Sequence, residues 1–483
     1  MLIMLKELFI KYQNIPVPAK ASIWFVLCYV LQRGIQFLGM PVYTRLMTQE
    51  QYGNYTIFLS WFNIIVIFSS LNIYTGAFTK GLVKHDKFKA KYVSSIQCLS
   101  VFFSFLFGLL IVFFSPIIER ITGLNFWVQV LLIFHLVSFP VLQLWSLDQR
   151  AQYKYKGLLL VTLLNSVLSF GIGVVAVFYA TDKSTALILV TVIVQLLICF
   201  SLFVQQVKAG KCFFDRSYWR WTIGLAVPLI PHALSEILLN HANRIMIAQI
   251  CGVSQAGIYT IVYQISMVMT IIRGGINGSF TPWMYYAIRD KNYESIRRTT
   301  NLLAVFMGVM TALIMAVGPE ILKIAAPPSY YEAVKDIPAI MIGCHFIFIY
   351  LLFANVEIYY EQKRYVTTAS VIAALTNIGL NYLLIPVFGY LVAGYTTMIS
   401  YFFMAVLHLW FLSRVSRYNP EIKDIFDVRF LFFSSLVLFI AGFFLYMLYD
   451  YCYIRLFVVV IMVVILYVKR DYFMTGLKTI KSK

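Results

Sequence analysis

Apolar runs of about twenty residues, parted by short polar segments, recur from one end of the chain to the other. Windows with few charges place membrane spans at 18–43, 53–78, 93–117, 124–147, 158–180, 185–207, 221–247, 255–285, 301–325, 336–358, 366–387, 390–413, 430–449 and 452–468. A helix rises about 1.5 Å per residue, so runs of this length suit a hydrocarbon layer about 30 Å thick. They lack the strict polar–apolar alternation of outer-membrane barrel strands. The expected fold is an all-α polytopic membrane protein with about fourteen transmembrane helices, numbered below as spans 1–14.

The polar connections test this layout. With the N-terminus inside, thirty of the 39 lysines and arginines fall in inner segments or at the span ends beside them, seven in or beside outer ones, and two, Arg33 and Arg273, in the interior of spans. A wrong span count would scramble the alternation beyond the error, so the positive-inside bias supports both the count and two cytoplasmic termini. The +19 net charge is spread over many inner loops beside an anionic leaflet and forms no single patch or arm. It is not the footprint of nucleic-acid binding.

Composition excludes other classes. Of 483 residues, 61% are hydrophobic and 12% charged, with a mean hydropathy of +0.81. A soluble enzyme could not hide that much apolar surface, and a disordered chain would be far more polar. Seven cysteines, none spaced as CxxC and most inside apolar runs, read as small hydrophobes and not as a disulfide or metal framework. The N-terminal stretch has no short apolar region followed by a small-residue cleavage site, so no removable signal peptide is expected.

The chain also resembles itself. Gln51-Tyr-Gly53-Asn-Tyr55-Thr56-Ile57 matches Gln255-Ala-Gly257-Ile-Tyr259-Thr260-Ile261 at an offset of 204. Tyr153, Asn165 and Leu168 match Tyr365, Asn377 and Leu380 at an offset of 212, where each half passes from its fourth to its fifth span. Six helices separate the copies, and an even number returns the chain to the same side, so the repeats are expected to be parallel, as in two-lobed transporters. This divides the chain into an N-terminal lobe of spans 1–6 (1–208), a C-terminal lobe of spans 7–12 (209–415), and spans 13–14 with a basic cytoplasmic tail (416–483).

Polar side chains inside spans are costly, and they nominate a site. Arg33 lies in span 1 with Gln32 and Gln36, and Arg273 lies in span 8 with Asn277. Span 7 carries His232, Glu236, Asn240 and Asn243 on one helical face. Asn63, Asn72, His135 and His345 are weaker members. Each has a structural alternative: Arg33 pairing with Glu236, Arg273 snorkelling or bonding a carbonyl freed by nearby glycines, the span-7 stripe serving as inter-helix hydrogen bonds, and His135 and His345 packing in the interior. Arg45 and Arg244 follow spans 1 and 7 and are expected at the outer interface. On the functional reading, Arg33 and Arg273 face one wet cavity. Two permanent cations there repel unless an anion sits between them, and the planar guanidinium fork suits phosphate. Pro228 and Pro231 in span 7, Pro140 in span 4, and Gly274, Gly275, Gly278 and Pro282 in span 8 are candidate points of flexure.

Nucleotide-binding and hydrolase motifs are missing from the sequence. Gly210-Lys211-Cys212 lacks the rest of a P-loop, and there is no HExxH or GxSxG. No catalytic residue, metal ligand or cofactor is expected. A membrane glycosyl- or acyltransferase would need an acid–base pair near a membrane surface; only Asp148 and Glu357 come close, and both read as loop-edge charges. A multidrug exporter would favour acidic cavity residues, and a structural subunit of an export complex is a further alternative.

The segment from Arg33 through Pro41-Val-Tyr-Thr-Arg45-Leu-Met-Thr48-Gln-Glu50-Gln-Tyr52-Gly53-Asn-Tyr55 resembles the opening of the Wzx-type polysaccharide flippases of the multidrug/oligosaccharidyl-lipid/polysaccharide exporter superfamily. So do Pro228-Leu-Ile-Pro231-His-Ala-Leu-Ser235 and the stretch from Gln362-Lys363 to Asn377. The resemblance implies two six-helix lobes with spans 13 and 14 added, in a bacterial inner membrane. It implies translocation of an undecaprenyl-diphosphate-linked oligosaccharide, as for O-antigen or capsule, from the cytoplasmic to the outer leaflet, with membrane lipids and polysaccharide polymerase machinery as partners. It also implies a cationic cavity, carried onto Arg33 and Arg273. Gln36, Asn240 and Asn277, polar positions of spans 1, 7 and 8, are candidate further substrate contacts. Glu236 and His232 are coupling candidates, for a proton or sodium gradient or the membrane potential.

Overall fold

The computed structural model describes residues 16–468, so Lys6, Lys11 and the basic tail lie outside the described residues. No strand occurs among the described residues. The helices are α1 (Val17–Leu46), α2 (Gln49–Ser69), α3 (Ala77–Lys84), α4 (Lys89–Phe113), α5 (Ser115–Thr122), α6 (Phe126–Ala151), α7 (Tyr155–Tyr179), α8 (Lys183–Gly210), α9 (Arg216–Ala226), α10 (Ile230–Ile250), α11 (Val253–Ile265), α12 (Met267–Arg289), α13 (Tyr293–Ala325), α14 (Ile337–Tyr359), α15 (Lys363–Phe388), α16 (Val392–Tyr418), α17 (Val428–Met447) and α18 (Cys452–Val468). Twelve helical stretches of the described residues are long and apolar enough to cross a membrane. Gln49–Ser69 and the shorter apolar Cys452–Val468 occupy the positions of spans 2 and 14. The protein is a multi-pass, all-helical membrane protein.

Boundaries follow local chemistry. Thr48 opens α2 with a capping box: its hydroxyl accepts from the Gln51 amide (3.2 Å), and the Gln51 side chain accepts from the Thr48 amide (3.1 Å). Asn125, Asp182, Asp215 and Asp427 cap α6, α8, α9 and α17 in the same sense. Span 2 was expected to run to residue 78. Instead α2 ends at Ser69, because Leu71 and Asn72 turn into the left-handed region. Ile73, Ala77 and Phe78 beyond that turn are fully buried, so apolar character continues where the helix does not. Span 7 breaks at a 3-10 turn, Val227–Leu229, which carries Pro228. Span 8 breaks at Ser266, whose hydroxyl bonds the Tyr263 carbonyl (2.5 Å). The glycines and Pro282, expected to loosen span 8, lie within continuous α12, and Pro140 lies within continuous α6.

Both copies of the first repeat place glutamine at the third helical position, Gln51 in α2 and Gln255 in α11. Both then return a threonine hydroxyl to a carbonyl one turn back, Thr56 to Gly53 (2.9 Å) and Thr260 to Ala256 (2.7 Å). The second match is one helical turn out of register. The turn before α7 and the turn before α15 have the same hydrogen-bond pattern, with Tyr153 and Glu361 as the left-handed residues. That sets the structural offset at 208 and not 212, so Tyr153 is equivalent to Glu361 rather than to Tyr365. A four-residue slip keeps a helical face, which is why the sequence match looked sound.

The chain divides into two compact units, Met1–Leu234 and Ser235–Lys483, with the division inside α10. In the first unit α4, α6 and α8 pack on one another, and α7 packs between α1 and α8. Phe58, Phe62, Leu132 and Leu136 centre one core, and Ile73, Phe78, Ile96 and Leu99 another. His135 is buried against Phe58, Phe62 and Phe139. Gln97 donates to Gln206 and to the Val141 carbonyl, tying α4 to α6 and α8. Gly210 at the end of α8 lies so close to α4 that an added Cβ would sit 2.1 Å from the Ala90 carbonyl oxygen. Because that obstacle is backbone, Gly210→Ala is expected to destabilise the protein by about 1–3 kcal/mol, read as a lower unfolding temperature in detergent. An unchanged temperature would mean that α8 and α4 separate freely there.

In the second unit α14 is the central helix, packed on α16, α13 and α17. Spans 13 and 14, α17 and α18, belong to this unit and pack against α13. Arg455 at the start of α18 is 0% exposed. It pairs with Glu320 of α13 and donates to the carbonyls of Leu448 (3.3 Å) and Tyr449. His345 of α14 is buried and meets Ser435 of α17 (3.1 Å).

Candidate functional site

In the first unit, Arg33 sits at the midpoint of α1, half-buried. Its guanidinium donates to Gln36 Oε1 (3.2 Å) and lies 5.3 Å from the centre of the Tyr29 ring. No carboxylate of its own unit pairs with it among the described residues. The helical spacing explains the pairing, since residues three and four apart share a face. Gln36 is exposed, so the Arg33–Gln36 pair presents both donors and an acceptor on one side of α1. Asn63 is spent on its own helix, donating to the Leu59 carbonyl (2.7 Å), and Asn72 holds the turn after α2 through Thr75 (2.5 Å).

In the second unit, Arg273 sits near the middle of the span formed by α11 and α12, half-buried, and no carboxylate pairs with it among the described residues. It lies within electrostatic range of Tyr263, Cys344, Tyr350 and Tyr401. Tyr263 donates to Asn240 Oδ1 (2.6 Å), and the Asn240 amide donates to the Glu236 carbonyl (2.7 Å). Glu236 itself is exposed and acts electrostatically on Tyr350. Asn277 is half-buried and accepts from Thr281 (2.9 Å) and Asn355 (3.0 Å), joining α12 to α14. His232 is half-buried, with Nδ1 shielded and without a hydrogen-bond partner.

The stripe on span 7 therefore divides. Glu236 and Asn240 remain near the tyrosine cluster, whereas Asn243 is taken into the interior. The Asn243 amide donates to Tyr259 (2.9 Å), Thr397 (2.6 Å) and the Ala393 carbonyl (3.2 Å), and its oxygen accepts from Asn381 (2.7 Å). Asn381 also bonds Asn377 and Thr396, so one buried amide–hydroxyl network ties α10 to α11, α15 and α16. Arg45 is exposed. Arg244 is buried: it is 8% exposed, donates to His241 Nδ1 (3.1 Å) and lies 4.8 Å from the Tyr263 ring centre. The sequence of span 7 alone does not show Tyr263, which covers Arg244 from helix α11.

Asp148 and Glu357, which read as loop-edge charges in the sequence, do lie near helix ends, but both are buried. Asp148 is 7% exposed, with Gln152 donating to it (2.8 Å) and Lys89 at 3.8 Å. Glu357 is fully buried against His408. The reading missed the pair because 51 residues separate its members.

Comparison with known proteins adds the family. An uncharacterized membrane protein of Methanocaldococcus jannaschii is 21% identical over 429 residues, covering 82% of this chain and 84% of its own. Among solved structures, the lipid II flippase MurJ in an inward closed conformation has a TM-score of 0.69 at 14% identity, covering 93% of this chain and 99% of that one. An inward-facing multidrug resistance MATE family transporter of the MOP superfamily has a TM-score of 0.61 at 13% identity, covering 81% and 96%. At such identities these two establish the fold alone. A family model described as "Polysaccharide biosynthesis protein" matches residues 19–288, more than half of the chain, and the chain belongs to that family.

Proposed function

We propose that this chain flips an undecaprenyl-diphosphate-linked oligosaccharide from the cytoplasmic to the outer leaflet of a bacterial inner membrane by alternating access, with both termini cytoplasmic. The observation that carries the reading is that each unit holds a half-buried arginine midway along a membrane helix, with no carboxylate of its own unit paired to it among the described residues. A guanidinium at that depth is costly unless it serves a ligand. A diphosphate offers what it lacks, paired acceptor oxygens with matching charge. Arg33 and Arg273 hold the diphosphate, Gln36, Asn240 and Asn277 contact the substrate, and the lipid tail stays in the bilayer. Glu236 and His232 are assigned to coupling. The similarity to a lipid II flippase and the family match support a lipid-linked substrate.

Moving about two negative charges out of a negative-inside compartment is favoured by roughly 4.6 kcal/mol per 100 mV, from about 2.3 per charge. The purified protein in liposomes, given a fluorescent undecaprenyl-diphosphate-linked sugar and an imposed potential, is expected to flip it faster with the favourable sign. Flipping indifferent to the sign of the voltage would overturn the charged-substrate step.

A further inference from the structure

Two residues before the end of α14 lies a titratable pair that the transport argument does not use. Glu357 of α14 and His408 of α16 are both 0% exposed, and His408 Nδ1 stands 3.0 Å from each carboxylate oxygen. The Tyr350 ring stacks on the imidazole at 5.4 Å and 15°. The other ring nitrogen, Nε2, is buried and has no hydrogen-bond partner.

The equal distances suit one N–H shared by both oxygens of an ionised carboxylate. With Nδ1 as that donor, Nε2 is the open position. With Nε2 bare, the pair carries one net negative charge in an apolar interior. With Nε2 protonated, imidazolium and carboxylate cancel. Burial strongly separates these two states in energy, because an uncompensated charge costs several kcal/mol more than a paired one.

Little else acts on the pair. From α14 the facing titratable group is Tyr350, and from α16, beside His408 itself, Tyr401 stacks against Tyr350 (6.4 Å). No ion pair joins Glu357 to any group but His408 among the described residues. Arg289 of α12, Lys363 and Arg364 of α15 and Arg429 of α17 are exposed. Arg297 of α13 donates to the Asp424 carbonyl, and Lys291 pairs with Glu421 (2.8 Å). The Glu357 carbonyl accepts from the Gln362 amide (2.8 Å) in the turn that closes α14, so the pair lies about one helical turn from a polar connection.

We propose that Glu357 and His408 form a proton-binding site, in which His408 Nε2 takes up one proton from the side of the basic connections. The lone pair of Nε2 forms the new N–H bond and no bond breaks. The loaded, neutral pair holds α14 to α16 more firmly than the unloaded, anionic one. Its consequence for coupling rests on the transporter reading, but its test does not.

The full-length protein, labelled with 15N-histidine and reconstituted in liposomes, is titrated between about pH 9 and pH 5 by solid-state NMR. The His408 signal, identified by its loss in H408N or by elimination with variants of the other five histidines, is expected to pass from an imidazole to an imidazolium pattern. E357Q is expected to weaken proton binding at His408 at least about tenfold. A His408 signal that stays constant in the unsubstituted protein overturns the proposal, as does a transition that E357Q leaves unaltered. No lipid-linked substrate is present, so this result is independent of the flipping assay.

Discussion

Replacing Arg33 and Arg273 together with glutamine is expected to abolish surface glycan and to accumulate its lipid-linked precursor, while the protein still inserts and folds. Both side chains are half-buried. Among the described residues Arg33 is engaged by its helical neighbours Gln36 and Tyr29 and by no carboxylate of its own unit, so glutamine strands no buried acid there. Binding should suffer far more. At an effective dielectric near 20, a charge pair at 4 Å is worth about 4 kcal/mol before desolvation. Hydrogen bonds to charged groups retain about 1.5–3 kcal/mol net. Losing two such contacts costs roughly 3–6 kcal/mol, or about two to four orders of magnitude in affinity. Each single variant should fall between the double variant and the starting protein. Retained surface glycan in the double variant would remove the proposed anion site, whatever the fold.

Asn243→Leu is expected to cause the largest loss of stability. Leucine has nearly the right volume but cannot replace the bonds to Tyr259, Thr397, Ala393 and Asn381, all inside the second unit. Hydrogen bonds between membrane helices average about 0.6 kcal/mol each, but stranding a buried amide or hydroxyl costs about 1–3 kcal/mol. Together these give about 2–4 kcal/mol, and an unfolding temperature in detergent lower by roughly 5–15 °C. Asn63→Leu is the control. Asn63 bonds only its own helix, so the change should stay within about 0.5 kcal/mol. Equal effects at both positions would show that the network contributes nothing beyond ordinary packing.

The helices were legible in the sequence because a bilayer demands apolar runs of a set length, and that signal is local. The interruption at Pro228 was legible for the same reason. Ser266 was not, since a serine inside a membrane helix usually bonds backward without breaking it. Arg33 and Arg273 stood out as charges in apolar runs. What could not be read was partnership. Whether Asn243 serves ligand or packing depends on Thr397 and Asn381, more than a hundred residues away. The burial of Arg244 depends on Tyr263, and Glu357 looked ordinary until α16 laid His408 against it.

The last two helices have a practical consequence. Tyr449 donates to the Met315 carbonyl (3.1 Å), Gly442 lets Ile342 and Met315 come close, and Arg455 is fastened to Glu320. A chain cut back at Asp427 would strip one flank of α13 and leave the Glu320 carboxylate without its guanidinium. Loss of activity on such trimming would report a damaged lobe, and it could not be used to assign the terminal pair a separate task.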